Sequence, residues 1–184
     1  LKANYPVKTR WIHFPLHPDT PAEGRSLAEL FAGRDIEPIR QRLKDLMAAA
    51  GLPYGERTHT YNSRLAQELG AWADAQCELG RCDAAQSEAI HDALYRAYFV
   101  EGKNIGDIDT LVAIAAAVGF SEIEAHEALK NRTFSEKVDE DWARSRASGV
   151  TGVPTFTAQG LAVVGCQPYE TLEKFVQHLL SQQG

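Results

Sequence analysis

Near the C-terminus, two short apolar runs flank a Gln-Gly pair, and the first run begins directly after a proline. Apolar runs joined by a short glycine-containing turn are typical of a β-hairpin, so the sequence predicts strands at Thr155 to Ala158 and at Leu161 to Val164. The step from Val153 to Pro154 is extended, because a proline disfavours helical backbone in the residue before it. The pattern therefore predicts an antiparallel sheet that is entered through a proline.

A long helical block precedes this hairpin. From about Ser26 to Phe120, apolar residues recur at helical spacing, and no stretch alternates like a strand over a useful length. Candidate helix starts are Ser26, Asn62-Ser63, Asp83, Asp107, Ser121 and Thr133. The apolar positions that follow them predict a core containing Met47, Leu69, Trp72, Ile90, Tyr95, Tyr98, Leu111, Ile114 and Ala115.

Two further elements complete the order. Val7 to Phe14 is rich in β-branched and aromatic residues and is stopped by Pro15, which predicts a strand. Pro168 suits the first turn of a final helix. A helix that connects two strands of one sheet needs only about a dozen residues, so the much longer helical block indicates an insertion. The predicted fold class is α/β with an inserted helical domain.

Composition limits the kinds of partner. The formal net charge of −6 and the pI near 5.5 give no basic surface for nucleic acid or for an anionic membrane. No apolar run approaches transmembrane length. Small molecules or proteins are the expected partners. Three cysteines in 184 residues do not resemble the framework of a secreted disulfide-rich protein, so the cytoplasm is the default expectation.

Four segments carry a family resemblance. They are Trp-Ile-His-Phe-Pro-Leu-His-Pro at 11–18, Tyr-Asn-Ser-Arg-Leu-Ala at 61–66, Leu-Tyr-Arg-Ala-Tyr-Phe-Val-Glu-Gly-Lys-Asn-Ile at 94–105, and the hairpin region at 152–168. Together they resemble the FrnE-type branch of the DsbA-like thioredoxin family, over nearly the whole chain. The Tyr-Arg-Ala-Tyr-Phe-x-Glu-Gly block at 95–102 is more specific than the Gly-Val-Pro loop, which many thioredoxin-fold proteins share.

The resemblance implies a thioredoxin-like fold with a large inserted all-helical domain. Residues 1–20 and 149–184 would form the thioredoxin-like part, and residues 21–148 the insertion with its connecting helix. Only about 5–6% of X-Pro bonds in folded proteins are cis, yet the family implies a cis Val153-Pro154 bond. The family also implies a first strand and a Cys-x-x-Cys motif ahead of Leu1, and no Cys-x-x-Cys occurs in residues 1–184.

The family implies roles for the loop residues. Val153 and Pro154 would lie beside the redox centre, where the backbone of Val153 pairs with an extended substrate and side-chain selectivity is weak. Thr155 is a further candidate contact, with packing in the strand as its alternative role. Asn62 is a candidate ligand residue by similarity to glutathione-dependent relatives, and a helix N-cap is its alternative role. His13, which precedes the Pro15 loop, is expected at the surface or at a cap.

The cysteines leave alternatives open. On a continuous helix, Cys77 and Cys82 would lie about 8 Å apart, beyond the roughly 7 Å that a disulfide spans. A helix break at Gly80 would bring them together as an auxiliary redox pair, and two reduced cysteines at a helix end are the alternative. A zinc site that adds His91 lacks a fourth ligand and Cys-x-x-Cys spacing. Cys166 is expected to be a small buried apolar residue.

Three functions remain from the sequence. The first is a thiol-disulfide oxidoreductase or isomerase that acts on disulfide-containing proteins or small thiol substrates and needs no bound cofactor. The second is a glutathione-dependent isomerase or transferase of the hydroxychromene-carboxylate isomerase and kappa-class group. The third is a non-catalytic thioredoxin-like binding module. We also expect the working polypeptide to include residues ahead of Leu1 or to take a strand from another chain, because the family's central strand lies there.

Overall fold

The structure is a computed structural model that describes residues 1–182. The chain forms two compact units. One is made of Leu1–Leu16 with the chain from Asp139 onward, and the other of His17–Val138. The described helices are α1 Leu27–Leu30, α2 Glu37–Ala49, α3 Arg64–Glu78, α4 Ala84–Phe99, α5 Ile108–Ala117, α6 Glu122–Lys130, α7 Ser135–Ala147 and α8 Tyr169–Ser181. The described strands are β1 Arg25–Ser26, β2 His59–Thr60, β3 Thr155–Ala158 and β4 Leu161–Val164.

The predicted hairpin is confirmed at the predicted bounds. Strands β3 and β4 pair antiparallel, with Thr155 opposite Val164. The two residues between them, Gln159 and Gly160, have φ values of 50° and 79°. Positive φ at both positions is what a two-residue turn with the twist of a hairpin requires, and glycine adopts it without steric cost. The final helix α8 follows with Pro168 at its N-cap, also as predicted.

The predicted strand at Val7 to Phe14 is absent. A strand needs a neighbouring backbone to complete its hydrogen-bond ladder, and no strand among residues 1–182 pairs with this segment. Side chains of α7 bind it instead. Asp141 Oδ2 accepts from the backbone N–H of His13 at 3.4 Å, and Ser145 Oγ donates to the His13 carbonyl at 3.0 Å. The β-rich composition of this segment therefore did not predict strand pairing, which also requires a neighbouring strand.

The core of the 17–138 unit lies between α3, α4, α5 and α6. Its buried apolar side chains include Leu69, Trp72, Ala73, Ile90, Leu111, Ile114, Ala115 and Leu129. These include most of the residues that helical spacing assigned to the core. Tyr98 is half-buried and packs against this cluster, whereas Tyr95 remains 54% exposed. The helical periodicity thus located the core of this unit but overestimated how far it extends along α4.

Three predicted N-caps are formed by side chains. The capping acceptors are Asp83 for Gln86 N–H at 2.8 Å, Asp107 for Thr110 N–H at 2.8 Å and Ser121 for Glu124 N–H at 3.3 Å. Each satisfies a backbone donor that the first turn of a helix leaves unpaired. These caps fix where α4, α5 and α6 begin.

Two other predicted helix starts behave differently. Ser26 precedes the four-residue helix α1 but makes no capping hydrogen bond with its side chain, and it pairs in the short strand β1 instead. Thr133 lies two residues before α7, and its hydroxyl donates to the Ala128 carbonyl of α6 at 3.3 Å. No described helix is long and apolar enough to cross a membrane.

Candidate functional site

The loop from Gly152 to Thr155 leads into β3 and is closed by a hydrogen bond from the side chain of Thr155. Thr155 Oγ1 donates to the Gly152 carbonyl at 2.6 Å. The N–H of Gly165, at the end of β4, donates to the Pro154 carbonyl at 2.8 Å. The Val153-Pro154 bond is cis, which confirms that prediction. The hairpin therefore holds this loop at both ends.

Val153 lies at the surface, two residues before β3. The residue is 51% exposed, and within residues 1–182 its N–H and carbonyl have no hydrogen-bonding partner. An unpaired backbone donor and acceptor just before a strand can pair with the main chain of an extended peptide. Thr155 is half-buried and its hydroxyl donates to the Gly152 carbonyl, so in this structure its side chain shapes the loop.

The hairpin also exposes apolar side chains along its length. Phe156, Leu161 and Val164 are 40%, 43% and 59% exposed. Cys166 is also exposed, so the prediction of a buried cysteine was wrong. The reason is local, since Cys166 lies past the end of β4 after Gly165, whose φ is 88°, where the chain turns towards α8. The free thiol of this chain segment therefore faces solvent.

Asn62 anchors a loop rather than an open pocket. Its amide nitrogen donates to the carbonyls of Pro18 and Thr20 at 3.0 Å and 2.8 Å. Its amide oxygen accepts from the N–H of Arg64, the first residue of α3, at 2.9 Å. Asn62 is not the N-cap of α3, which is Ser63, but from the position before it the side chain satisfies the first N–H of α3 and ties this helix to the 18–20 loop. Its role in binding a ligand stays a prediction.

Cys77 and Cys82 form a disulfide, with their Cα atoms 4.5 Å apart. Helix α3 ends at Glu78, and Gly80 takes a φ of 72°, so the helix break expected at Gly80 is present. The zinc alternative is not supported, because both sulfurs are bonded to each other and His91 Nε2 lies 3.1 Å from Asp74 Oδ1. Within residues 1–182, no cluster of three acidic, histidine or cysteine side chains could hold a metal ion.

A buried ionic cluster in the 17–138 unit was missed from the sequence. The Glu68 side chain is 2% exposed and accepts from Arg64 Nε at 2.7 Å, from Arg132 Nε at 2.7 Å and from Arg132 Nη2 at 2.6 Å. Burial raises the pKa of Glu68, but the hydrogen bonds from Arg132 and Arg64 outweigh burial and leave this pKa below its usual value. Glu68 therefore stays ionised and joins α3 to the turn after α6.

A second buried pair lies in the other unit. His13 Nδ1 is 2.9 Å from Asp141 Oδ2, and the two side chains are 11% and 4% exposed. The expected surface role of His13 was wrong, because α7 covers the ring. Asp141 sits 128 residues away in sequence, and no local signal links it to His13.

A cavity of about 330 Å³ lies between α2 and α4. Its wall is mainly apolar and includes Leu43, Met47, Tyr95 and Phe99. Met47 was predicted to fill the core, and this prediction was wrong. The residue is half-buried and lines the cavity, and no residue of its helix α2 is buried. The volume lies near the lower end of the range for small-molecule sites, about 300–1,000 Å³.

Known proteins place this architecture in a family. Residues 1–177 match the family described as DSBA-like thioredoxin domain. The chain belongs to this DsbA-like family. The match confirms the DsbA-like family and the thioredoxin-like fold with a helical insertion, and the FrnE-type branch stays a prediction. Among curated proteins, YwbO of Bacillus subtilis (strain 168), described as uncharacterized, is 30% identical over 84 residues. That alignment covers 45% of this chain and 42% of YwbO, so it spans less than half of that relative.

Solved structures share the fold of this DsbA-like chain. A 2-hydroxychromene-2-carboxylate isomerase matches with a TM-score of 0.66 and 20% identity, over 86% of this chain and 77% of that one. A putative protein disulfide isomerase from Nitrosomonas europaea has a TM-score of 0.60 and 16% identity, over 80% and 74%. The cytosolic disulfide reductase DsbM from Pseudomonas aeruginosa, solved with GSH, has a TM-score of 0.52 and 19% identity, over 79% and 76%. At these identities, the similarities show the fold alone.

Proposed function

We propose that the protein is a thiol-disulfide oxidoreductase or isomerase of the FrnE type that acts on disulfides in proteins or small molecules. The observation that carries the proposal is the unpaired backbone of Val153, a 51% exposed residue two positions before β3, in a chain whose residues 1–177 match the DsbA-like family. The proposal includes a cytoplasmic location, which the modest count of three cysteines supports.

The chemistry requires a thiolate that attacks the substrate disulfide. Attack forms a mixed disulfide, and a second thiol then releases the substrate in its reduced form. In this proposal, both thiols belong to the Cys-x-x-Cys motif that the resemblance places ahead of Leu1. The loop at Gly152–Thr155 contributes binding: Val153 N–H and C=O pair with the substrate main chain, while the Thr155 hydroxyl holds the loop in shape at 2.6 Å from the Gly152 carbonyl.

Glutathione enters the proposal as a thiol donor rather than as a bound cofactor. DsbM was solved with GSH, and an isomerase is among the structural neighbours, so a glutathione-dependent isomerase or transferase is the second candidate. The two candidates differ in what happens to the sulfur. An oxidoreductase oxidises glutathione to its disulfide, whereas an isomerase or transferase leaves the redox state of glutathione unchanged or joins it to an electrophile.

The test uses the full-length native protein in two assays. In the first, insulin is the disulfide substrate and glutathione the thiol donor, with glutathione disulfide measured as the product. In the second, a hydroxychromene carboxylate and an aryl halide are offered with glutathione. Catalysed insulin reduction with stoichiometric glutathione disulfide supports the oxidoreductase. Turnover only in the second assay would replace it with the second candidate, and substrate binding without turnover in either assay would leave a binding module.

A further inference from the structure

The Cys77–Cys82 disulfide lies in the turn between α3 and α4, within the 17–138 unit and outside the Gly152–Thr155 loop. We propose that this pair is a reversible second thiol-disulfide site that exchanges with low-molecular-weight thiols and disulfides of the glutathione class. The proposal does not depend on the function proposed above. It depends on what the turn exposes, on what holds the two helices together and on what the sulfurs contact.

The turn leaves the sulfurs within reach of a small thiol. Cys77 and Cys82 are both half-buried, and the residues between them, Glu78 to Arg81, are exposed. Apart from Gly80 and its two chain neighbours, no residue has an atom within 4 Å of the position that a Cβ on Gly80 would occupy, so solvent borders the outside of the turn. The elements on either side of this turn are the helices α3 and α4, and neither provides a strand edge to which an extended protein substrate could pair. A short, flexible thiol fits this access better.

The packing of α3 on α4 does not rely on the disulfide. Asp74 Oδ1 on α3 accepts from Ser87 Oγ at 2.6 Å and lies 3.1 Å from His91 Nε2, both on α4. Leu69 on α3 and Ile90 on α4 are fully buried in the shared core. The start of α4 is held separately by the Asp83 cap. The pair can therefore open while both helices stay in place.

Acceptors for the reduced form are already present. Cys77 Sγ lies 3.2 Å from the Asp83 carbonyl oxygen, and Cys82 Sγ lies 3.8 Å from the Ala73 carbonyl oxygen. In the disulfide neither sulfur carries a hydrogen, so these contacts are not hydrogen bonds. On reduction, each S–H can donate to the carbonyl beside it. Neither thiol is then left as a buried polar group without a partner.

The exchange is balanced in atoms and electrons. A glutathione thiolate attacks one sulfur of the pair and expels the other as a thiolate, which takes up a proton from water. A second glutathione thiolate then attacks the mixed disulfide and releases glutathione disulfide, and the second cysteine is protonated. Two glutathione molecules thus give two electrons to one protein disulfide. Glutathione disulfide drives the same steps in reverse.

The first experiment titrates the native full-length protein in buffers of varied glutathione to glutathione disulfide ratio. Free thiols are alkylated and assigned by peptide mass spectrometry, with exposed Cys166 as an internal control for labelling. We expect Cys77 and Cys82 to pass together from unlabelled to fully labelled, with unchanged far-ultraviolet circular dichroism. A pair that stays oxidised until the protein is denatured, or two thiols that stay free under mild oxidant, would overturn the proposal.

The second experiment compares two glycine variants. Gly80 and Gly51 both follow a helix end, with φ values of 72° and 66° and open space at the Cβ position. Alanine at either site carries the same cost of left-handed backbone. Only Gly80→Ala should slow reoxidation of the pair by glutathione disulfide, and it should do so by about fivefold. It should also shift, by a similar factor, the ratio of glutathione to glutathione disulfide at which half of the pair is reduced, because only that turn closes the disulfide. Equal behaviour of Gly80→Ala and Gly51→Ala would contradict the role given to the turn.

Discussion

At the scale of single residues, the strongest claim concerns the buried carboxylate of Glu68. Its three short hydrogen bonds from Arg64 and Arg132 compensate for a side chain that is 2% exposed. We expect Glu68→Gln to lower the free energy of unfolding by about 3 kcal/mol, because the substitution removes the buried negative charge that accepts the hydrogen bonds of Arg64 and Arg132. Urea unfolding followed by circular dichroism measures the change.

The matched control is an exposed pair with the same chemistry. Arg96 Nε donates to Asp92 Oδ2 at 2.7 Å, four residues apart on α4, with side chains 50% and 64% exposed. Asp92→Asn should cost less than about 1 kcal/mol, because exposed ion pairs contribute little. Similar losses for both variants would show that burial does not give Glu68 its importance.

The lowered pKa of Glu68 also predicts a dependence on pH. A carboxyl whose pKa is lower in the folded than in the unfolded protein stabilises the fold above the unfolded value, about 4.3, and this contribution disappears as pH falls through the folded pKa. The difference in unfolding free energy between the native protein and Glu68→Gln should therefore be constant near neutral pH and shrink in acid. Urea titrations at several pH values measure this difference. A difference that grows in acid would contradict a lowered pKa of Glu68.

Sequence reasoning at this scale found the local features and missed the distant ones. The cis Val153-Pro154 loop followed from the family resemblance, and the Gly80 break followed from one residue. Glu68 had a usable signal, since it lies three residues after Leu65 and next to Leu69, within the apolar face of α3. The pairing of His13 with Asp141 had none, because tertiary packing alone brings together residues 128 positions apart.

At the scale of secondary structure elements, side-chain caps decide where helices begin. Asp107 Oδ2 accepts from both the N–H and the hydroxyl of Thr110, at 2.8 Å and 2.7 Å. Asp107→Ala should therefore destabilise the protein by about 1 kcal/mol, since a first-turn N–H loses its acceptor. Chemical denaturation measures this effect.

Ser26 provides the comparison for this prediction. It was also predicted to start a helix and it precedes α1, but its side chain makes no capping bond. Ser26→Ala should therefore leave the unfolding free energy within about 0.5 kcal/mol of the native value. If Ser26→Ala lowered the unfolding free energy as much as Asp107→Ala, the observed capping bond would not explain the stability effect.

Elements with local signals were predicted well, and elements that depend on partners were not. The β3–β4 hairpin, α8 and the caps of α4 to α6 each rely on residues a few positions apart, so their patterns were sufficient. Val7 to Phe14 has the composition of a strand, but pairing depends on a neighbour that composition does not specify. The two-residue pairing of β1 with β2 is too short to produce an alternating pattern.

At the scale of the whole molecule, membership of the DsbA-like family could be established from the sequence because its motifs are distributed over the chain. The match over residues 1–177 and the solved neighbours agree on the fold. The roles of the Cys77–Cys82 pair and of the α2–α4 cavity depend on individual side chains of this chain, so membership of the fold family does not specify them. The domain boundaries after residues 20 and 148 remain predictions.

The proposed function requires that Val153 bind substrate through its backbone. The direct measurement is the rate of insulin reduction by full-length native protein, Val153→Pro and Val153→Ala, with thermal unfolding of each as a check on folding. Proline at this position removes the N–H donor, whereas alanine keeps it and shortens the side chain. Val153→Pro should lose at least about tenfold in kcat/KM, the effect of one unpaired hydrogen bond of about 1.4 kcal/mol, while Val153→Ala stays within about twofold. Equal rates for all three folded proteins would contradict the account.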